Sequence, residues 1–185
     1  DNARPGIVHR LDKGTSGVMV CAKTSLCQAR LSQMFSDHTS VSKTYVAVTV
    51  GNPQGGRSAR RRHRTMPNEE DMQLERAEEG VLLDEPMGRH PRHRQKMAVL
   101  NPEVYDRARD ARTLVHTLAW DSRLAVCRVK IETGRTHQIR VHLAHRRTPV
   151  LGDQLYGNSD QNSRANKRFG ITRPMLHAQV LEFPH

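Results

Sequence analysis

Alternation of apolar and polar residues is the clearest pattern along this chain, and it predicts β-strands. In the segment KTYVAVTVG, residues 43–51, a row of three valines occupies one face and Tyr45 lies on the opposite face. The segments TLVHTLAW at 113–120 and RLAVCRVKIETG at 123–134 follow as a strand pair. The second of them alternates so regularly that we expect a row of core-facing residues, Ala125, Cys127, Val129 and Ile131.

The rest of the chain predicts a few short elements around these strands. The apolar run GVMVCA at 17–22 indicates a short buried strand, and residues 24–38 have helical spacing after a Thr24 or Ser25 cap. A short helix, a loop and a further alternating segment are expected in turn at 136–147, 149–157 and 173–185. Strands dominate and nothing repeats. The predicted fold is therefore α+β, with a mixed, mainly antiparallel central sheet and few flanking helices.

Length and charge narrow the function classes. The 185 residues suit a single domain, residues 1–185, with a real core. Lys and Arg total 30 against 19 acidic residues, a formal charge of +11. An excess of this size attracts polyanions, of which nucleic acid is the commonest in a cell, although a merely soluble basic protein is the alternative.

One segment, at about 52–80, interrupts the apolar pattern. It is first Gly- and Arg-rich and then acidic, without an apolar period, which predicts a charged insertion or surface excursion. Its block RSARRRHR either grips RNA phosphates or is simply solvated.

Cysteine usage and hydropathy bear on the compartment. The three cysteines, Cys21, Cys27 and Cys127, form no C-x-x-C pair and are odd in number, which favours an intracellular, reducing compartment, the cytoplasm or an organelle such as the mitochondrion. Cys21 and Cys127 fall in predicted strands, so we expect buried, inert thiols. No apolar run approaches the roughly 20 residues that a bilayer span needs, and no membrane partner is expected.

Three histidines, His137, His142 and His145, lie close together in the sequence. Their spacing does not give a helical H-x-x-x-H pair, and no cysteine is nearby. We therefore predict no metal site.

A lone carboxylate, Asp12, lies between Arg10 and Lys13 in the segment HRLDKGTSG. Four polar clusters at predicted strand ends are expected to form one site with it: residues 9–17, 43–45, 88–90 and 134–140. Arg135 and Arg140 could supply a guanidinium, which favours the ionised carboxylate. Such a pair in a dry pocket adds little stability, so it is typical of a site kept for chemistry. The alternative is a turn residue that caps backbone amides.

Five segments carry compact motifs in a fixed order: RPGIVHRLDKGTSGVMVCAKT, KTYVAVTVG, EPMGRHPRHRQKMAV, TGRTHQIRVHLAHRRTPVLGDQLYG and LHAQVLEFPH. They resemble the motifs of the pseudouridine synthases of the RluA branch, namely H-R-L-D-x-x-T-S-G, K-x-Y, P-I-G-R-H-P with K-M-A-V, T-G-R-x-H-Q-I-R-x-H-x-A with P-x-x-G-D-x-x-Y-G, and L-H-A-x-x-L-x-F-x-H. Together they cover most of the chain outside 52–80, which makes chance agreement negligible.

The resemblance implies an enzyme that isomerises uridine to pseudouridine within RNA and needs no metal or organic cofactor. In that reaction the N1–C1′ bond breaks, the uracil rotates and C5 bonds to C1′. Asp12 matches the family's catalytic aspartate, either a nucleophile at C1′ or a base at C2′. Arg140 matches the arginine that pairs with it, and Tyr45 the tyrosine that stacks on the uracil and relays a proton from C5. Arg10 matches an arginine inserted where the flipped base has left, with a surface phosphate clamp as the alternative.

Other basic residues of the motifs are candidate RNA contacts: His9, Lys43, Arg89, His90, Lys96, Arg135 and His137. Asp153 is expected to be a loop carboxylate that organises its turn or braces an arginine, and a second catalytic acid is the alternative.

The chain departs from the family pattern in two ways. It lacks the N-K-P-x-G-x-x-V-H strand segment upstream of HRLD, so we expect a catalytic domain that is partial at both ends, and its segment 52–80 is longer and more charged. Intact Asp12, Tyr45 and Arg140 favour an active enzyme on structured RNA, with ribosomal RNA favoured, transfer RNA as a second choice, and ribosomal-subunit assembly intermediates as further partners. The alternative is an RNA-binding scaffold or ribosome-assembly factor in which catalysis is dispensable.

Overall fold

The computed structural model describes residues 6–37, 40–55 and 80–185. In chain order the elements are β1 (Ser16–Gly17), α1 (Ser25–Asp37), β2 (Ser42–Val50), β3 (Val81–Asp84), β4 (Met87–Arg89), β5 (Met97–Val99), β6 (Arg112–Trp120), β7 (Leu124–Ile131), α2 (Gln138–His145), α3 (Ser159–Phe169) and β8 (Leu176–Glu182). The predicted charged insertion at about 52–80 lies almost entirely outside the described residues.

Six of these strands form one sheet in the order β1-β8-β2-β7-β6-β3. Only the β1–β8 pairing is parallel, while the other neighbours run antiparallel. β4 and β5 form a separate two-stranded hairpin. The predicted mixed, mainly antiparallel α+β architecture is confirmed.

The alternation read from the sequence decides which side of the sheet is the core. On β7 the predicted inward row is confirmed, since Ala125, Cys127 and Val129 are almost fully buried. On β2 the core side is the one that carries Tyr45: Ala47 and Thr49 are fully buried, whereas the valines between them are only half-buried. Tyr45 itself packs against the core cluster at the end of this row.

α2 covers this core and is held in place by an internal polar network. Ile139 and Leu143 pack into the cluster formed by the sheet. At the start of the helix the buried Gln138 side chain accepts hydrogen bonds from the Arg135 N–H (3.0 Å) and the Thr133 hydroxyl (2.8 Å). Its amide donates to the Arg112 carbonyl and the Thr113 hydroxyl, both at 3.0 Å. All four hydrogen-bonding positions of this side chain are therefore used, which fixes the loop that enters the helix.

The predicted helix after residue 24 is also confirmed. The Thr24 hydroxyl accepts a hydrogen bond from the Cys27 N–H at 3.2 Å, which makes Thr24 the cap, and Leu31 and Phe35 are buried.

Two expectations were wrong. The run 17–22 does not form a buried strand: β1 covers only Ser16–Gly17, and Val18 and Met19 are each 43 % exposed. Cys21 is exposed for the same reason, whereas Cys127 is buried as expected. The apolar run passes along the outer edge of the sheet, where Val18 bonds to Ala178 and Cys21 forms a bridge to Ile7.

The sequence also gave no sign of α3 through apolar spacing. This helix is polar almost throughout and buries only Asn162 and Ala165. Its ends carry ordinary signals, a side-chain cap from Asn158 and a left-handed Gly170. Within residues 6–37, 40–55 and 80–185, none of the helices combines the length and apolar character that a membrane span requires.

Candidate active site

Asp12 is presented by a tight turn that leans on the C-terminal strand. The Thr15 N–H donates to the Asp12 carbonyl at 2.9 Å, and Gly14 between them has a φ of 86°. The chain then pairs with β8 through β1, and the Val18 N–H donates to the Ala178 carbonyl at 3.0 Å. At Gly17 a Cβ would overlap the Ala178 backbone, so this close approach requires glycine. The turn therefore fixes the carboxylate relative to the sheet.

Arg140, a residue of α2, binds two carboxylates: Asp12 in this turn and Asp153 in the loop after the helix. Its Nη1 donates to Asp12 Oδ2 at 3.3 Å, while Nε and Nη2 donate to Asp153 Oδ2 and Oδ1 at 2.7 and 2.9 Å. The side chains of Arg140 and Asp153 are 7 % and 0 % exposed, whereas that of Asp12 is 21 % exposed. Asp153 is thus the structural partner of the arginine, and Asp12 is the carboxylate that faces open space.

The protonation preferences of the buried pair agree with this geometry. Burial alone would raise the pKa of Asp153, but the hydrogen bonds and charge of Arg140, with two backbone N–H groups, lower that pKa below its usual 3.8. Burial opposes the charge on Arg140 too, yet Asp153 and then Asp12 raise the pKa of the guanidinium. Both groups stay charged, as a buried pair must.

Asp153 organises its own loop as well as bracing Arg140. Its Oδ1 accepts from the Leu155 and Tyr156 N–H groups at 2.9 and 3.1 Å. The Asn162 side chain of α3 donates to its carbonyl at 2.8 Å. Both structural roles predicted for this residue are therefore present, and α3 supports them from behind.

Tyr45 lines the same opening as Asp12 and Arg140. Burial, and secondarily the charge of Asp12, raise the pKa of its phenol, so the ring stays neutral and protonated near pH 7. Its ring lies on the core side of β2 and is held in place by packing against the core cluster.

A cleft of about 260 Å³ lies between these groups. Its lining combines the turn, β2, α1 and the start of α2, and includes Asp12, Tyr45, Arg140, Arg10, Lys43 and His137. His9 and Arg135 line it too. Among the residues described, no group of three or more His, Cys, Asp or Glu side chains could hold a metal ion.

Two of the cleft's basic residues share an aromatic support that the sequence did not reveal. The His9 ring stacks on Phe35 with centroids 4.6 Å apart, and Lys43 Nζ lies 5.0 Å from the centroid of the same ring. His9 Nε2 accepts the Val20 N–H at 3.0 Å. Burial lowers the pKa of both groups, and for His9 the charge of Lys43 adds to this. Phe35 was visible in the sequence only as an apolar helix position.

The other predicted basic residues are placed differently. The Arg135 guanidinium does not pair with Asp12, because its Nε donates to the Asp110 carbonyl at 3.0 Å. Arg89, His90 and Lys96 belong to the β4–β5 hairpin and do not line the cleft. The hairpin turn is closed by the His90 ring, whose Nδ1 accepts the N–H groups of Arg92 and His93, each at 3.1 Å.

Tyr156 is a site residue that the sequence reasoning missed. Its ring centroid lies 5.1 Å from the Arg140 guanidinium carbon, and its hydroxyl is 2.8 Å from His137 Nδ1. Tyr156 is the tyrosine of the G-D-x-x-Y-G motif, but nothing in its spacing points to the arginine.

Comparison with known proteins gives a consistent result. A family model described as RNA pseudouridylate synthase matches residues 1–145. The "Ribosomal large subunit pseudouridine synthase D" of Xanthomonas campestris is 38 % identical over 188 residues, which cover 98 % of this chain and 48 % of the relative. Its Escherichia coli namesake is 37 % identical over 191 residues, covering 100 % of this chain and 49 % of the relative.

A chloroplast protein and a solved structure extend the comparison. "RNA pseudouridine synthase 2, chloroplastic" of Arabidopsis thaliana is 34 % identical over 205 residues, covering 100 % of this chain and 41 % of that protein. The structure of human RNA Pseudouridylate Synthase Domain Containing 1 superposes with a TM-score of 0.71 at 25 % identity, covering 96 % of this chain and 63 % of the other. The chain thus spans about half the length of the curated relatives it matches.

Proposed function

Because the chain belongs to the RNA pseudouridylate synthase family, we propose that it isomerises uridine to pseudouridine within RNA. One observation carries the proposal: Arg140 holds a partly exposed Asp12 at 3.3 Å on the wall of an open cleft that Tyr45 also lines. These three side chains come from a turn, a helix and a strand that are far apart in the sequence. Their convergence is what a reaction at one nucleotide requires.

The reaction is an isomerisation, so no atom is gained or lost overall. The N1–C1′ bond breaks, the uracil turns, C5 bonds to C1′, and the proton on C5 is released while N1 takes one up. Asp12 is the group proposed to act on the ribose, at C1′ as a nucleophile or at C2′ as a base. Its oxygen Oδ2 is oriented by one guanidinium nitrogen, and its side chain remains 21 % exposed to the cleft.

Tyr45 is proposed to stack on the target uracil. Its phenol is kept protonated by burial, since burial raises its pKa, so the ring offers a neutral aromatic face. The same hydroxyl could pass on the C5 proton once the new bond has formed. Arg10, an exposed residue that lines the cleft, is proposed to fill the place that the flipped base leaves in the RNA stack.

RNA backbone binding is proposed for the other basic groups of the site. His9, Lys43, Arg135 and His137 lie in the cleft, and Arg89, His90 and Lys96 form a second basic surface on the hairpin. The formal charge of +11 supports a polyanionic partner.

The RNA proposed as substrate is ribosomal RNA. The bacterial relatives are named for the ribosomal large subunit, and these names support ribosomal over transfer RNA. Ribosomal-subunit assembly intermediates are a further proposed partner. Bacterial and chloroplastic relatives, together with the free cysteines Cys21, Cys27 and Cys127, support a reducing compartment in the cytoplasm or an organelle.

Tritium release from RNA that contains [5-³H]uridine tests the proposal. We expect the wild-type chain to release tritium from large-subunit ribosomal RNA, and the Asp12→Asn variant to release none while binding the same RNA with little change in affinity. If the wild type binds cellular RNA but releases tritium from none of the RNAs tested, the result would instead support an RNA-binding scaffold without catalysis. A large affinity loss in Asp12→Asn would mean that Asp12 shapes the fold rather than the reaction.

A further inference from the structure

Tyr156 lies where three parts of the site meet. Its hydroxyl accepts the Met97 N–H of β5 at 2.8 Å and is 2.8 Å from His137 Nδ1, while its ring covers the Arg140 guanidinium. The His137 ring stands edge-on to it, with centroids 5.5 Å apart and planes at 70°. One side chain therefore connects the basic hairpin, the arginine and a cleft histidine.

One hydrogen bond of this hydroxyl has a fixed direction. The Met97 N–H can only donate, so the phenol oxygen is its acceptor and the phenol proton must go elsewhere. His137 Nδ1 is in position to receive that proton. Burial raises the pKa of Tyr156, which keeps the phenol protonated. Burial and the Arg140 charge lower the pKa of His137 against the opposing charges of Asp12 and Asp153, which favours a neutral ring.

With Nδ1 as an acceptor, the ring proton of neutral His137 is on Nε2. The ring lines the cleft beside Arg140 and Asp12. Its backbone is held in the left-handed region, with a φ of 59°, as the residue that immediately precedes α2. The Tyr156 hydroxyl and the backbone conformation thus hold the ring from behind, with Nδ1 toward Tyr156.

We propose that Tyr156 is a positioning residue that holds His137 as the neutral Nε2–H tautomer, so that His137 donates a hydrogen bond to an acceptor oxygen of the target nucleotide. The identity of the ligand as a nucleotide of RNA rests on the proposed function. The chemistry recognised is an oxygen acceptor, and the uracil carbonyls and the phosphate oxygens both provide one. A neutral donor suits this place, because Arg140 beside it already supplies the positive charge.

The tautomer can be measured without RNA. Long-range ¹H–¹⁵N correlation spectra of the 185-residue chain distinguish the two ring nitrogens, and the signals of His137 are assigned by their loss in His137→Gln. We expect an unprotonated Nδ1 and a protonated Nε2 in the wild type, and a mixture of tautomers in Tyr156→Phe. Tyr105→Phe is the matched control, since Tyr105 contacts Arg107 and has no hydrogen bond to His137. A protonated Nδ1 in the wild type, or no change in Tyr156→Phe, would overturn the proposal.

The donor role is tested by RNA binding and turnover. Neither leucine nor glutamine is β-branched, so His137→Leu and His137→Gln carry similar backbone costs at this φ, but only glutamine keeps an N–H donor. Loss of one such hydrogen bond should weaken binding of transcribed large-subunit ribosomal RNA about tenfold in His137→Leu, and His137→Gln should recover most of it. Equal losses in the two variants at equal stability would refute the donor role.

Sulfur substitution identifies the oxygen. Transcripts are made with 4-thio-, 2-thio- or α-thio-uridine triphosphate, which replaces uracil O4, uracil O2 or a phosphate oxygen. Sulfur at the recognised atom should weaken RNA binding by the wild type but not by His137→Leu. If none of the three substitutions gives this difference, all three oxygens are excluded, and the proposal with them. If the wild type binds this RNA but turns none over, the proposed function fails while the tautomer and binding results still decide this inference.

Discussion

Replacing Asp153 with asparagine separates the two carboxylates that share Arg140. The change removes one negative charge and leaves the shape of the side chain almost unaltered. Asp153 now accepts two hydrogen bonds from the guanidinium, at 2.7 and 2.9 Å, and further ones from backbone N–H groups of its loop. In the variant a single amide oxygen must serve these donors, and Asp12 is the charged partner that Arg140 keeps among the residues that the structure describes.

The size of the effect follows from burial. Arg140 and Asp153 are 7 % and 0 % exposed, and removing one partner of such a buried pair typically costs about 3–5 kcal/mol of unfolding free energy. Because the asparagine oxygen can still take backbone donors, we expect the lower end, about 3 kcal/mol. Asp12→Asn removes one 3.3 Å contact at a carboxylate that is 21 % exposed, and should cost about 1 kcal/mol or less.

Urea unfolding at neutral pH measures both variants, with tritium release measured on the same preparations. Glu132→Gln is the control, because it removes a carboxylate paired at 2.8 Å with Arg112 but 52 % exposed, and it should change stability by no more than about 0.5 kcal/mol. Asp12→Asn should thus abolish turnover at little cost in stability, and Asp153→Asn should lose stability. Equal destabilisation by the Asp12 and Asp153 variants would refute the division of roles.

The pH dependence of the unfolding free energy gives a second test of whether the Asp153 charge stabilises the fold. The pKa of Asp153 is lowered in the folded state, so its contribution to stability is fully present above the unfolded value of 3.8 and is lost as the pH falls below it. The difference in unfolding free energy between wild type and Asp153→Asn should therefore persist from pH 7 to pH 5 and shrink below 3.8. A difference that is unchanged below that pH would point to packing rather than charge.

Three further outcomes are expected. Burial lowers the pKa of His142, so the unfolding free energy of the wild type should fall as the pH drops below 6.5. In urea titrations at several pH values, His142→Gln should show a smaller fall. An equal fall in the variant would contradict this prediction. Gly17→Ala should lower the unfolding free energy by about 3 kcal/mol or more, because its Cβ would meet the Ala178 backbone. Gly170→Ala, with open space around it, should lower it by about 1 kcal/mol. Thermal unfolding measures both, and equal losses would refute the reasoning. Arg89→Ala should weaken RNA binding across sequences and reduce the salt slope by about one, measured by fluorescence anisotropy, while Arg128→Ala on the outer face of the sheet should not.

The sequence predicted the sheet well because alternation is a local property. On β7 each inward residue is visible from its neighbours, and the helix after Thr24 shows its own cap. The run 17–22 misled for a physical reason: six apolar residues indicate a strand but do not show whether a partner covers them, and here Val18 and Met19 remain exposed. α3 has caps but almost no apolar stripe, so the periodicity on which the assignment relied was absent.

The candidate site also has a part that the sequence predicted and a part that it did not. The motif match to a family brought Asp12, Tyr45 and Arg140 to attention, and the structure places all three on one cleft. What the sequence could not show were contacts at long range in the chain. Residue types alone left Arg135 and Arg140 open as partners of Asp12, and only the family resemblance pointed to Arg140, which the structure places at 3.3 Å from Asp12. The Tyr156–His137 pair depends on the loop after α2 and had no signal in the sequence.

The position of β8 has a consequence for when this protein can first act. The strand lies between β1 and β2 in the sheet, and the turn that carries Asp12 is pinned to its Ala178. Synthesis reaches residues 176–182 long after both Asp12 and Arg140 have been made. Until that late stretch has emerged and inserted between the earlier strands, the turn that carries Asp12 lacks the strand with which it pairs. The proposed activity therefore requires that β8 has been made, and a nascent chain that ends before residue 176 should lack it.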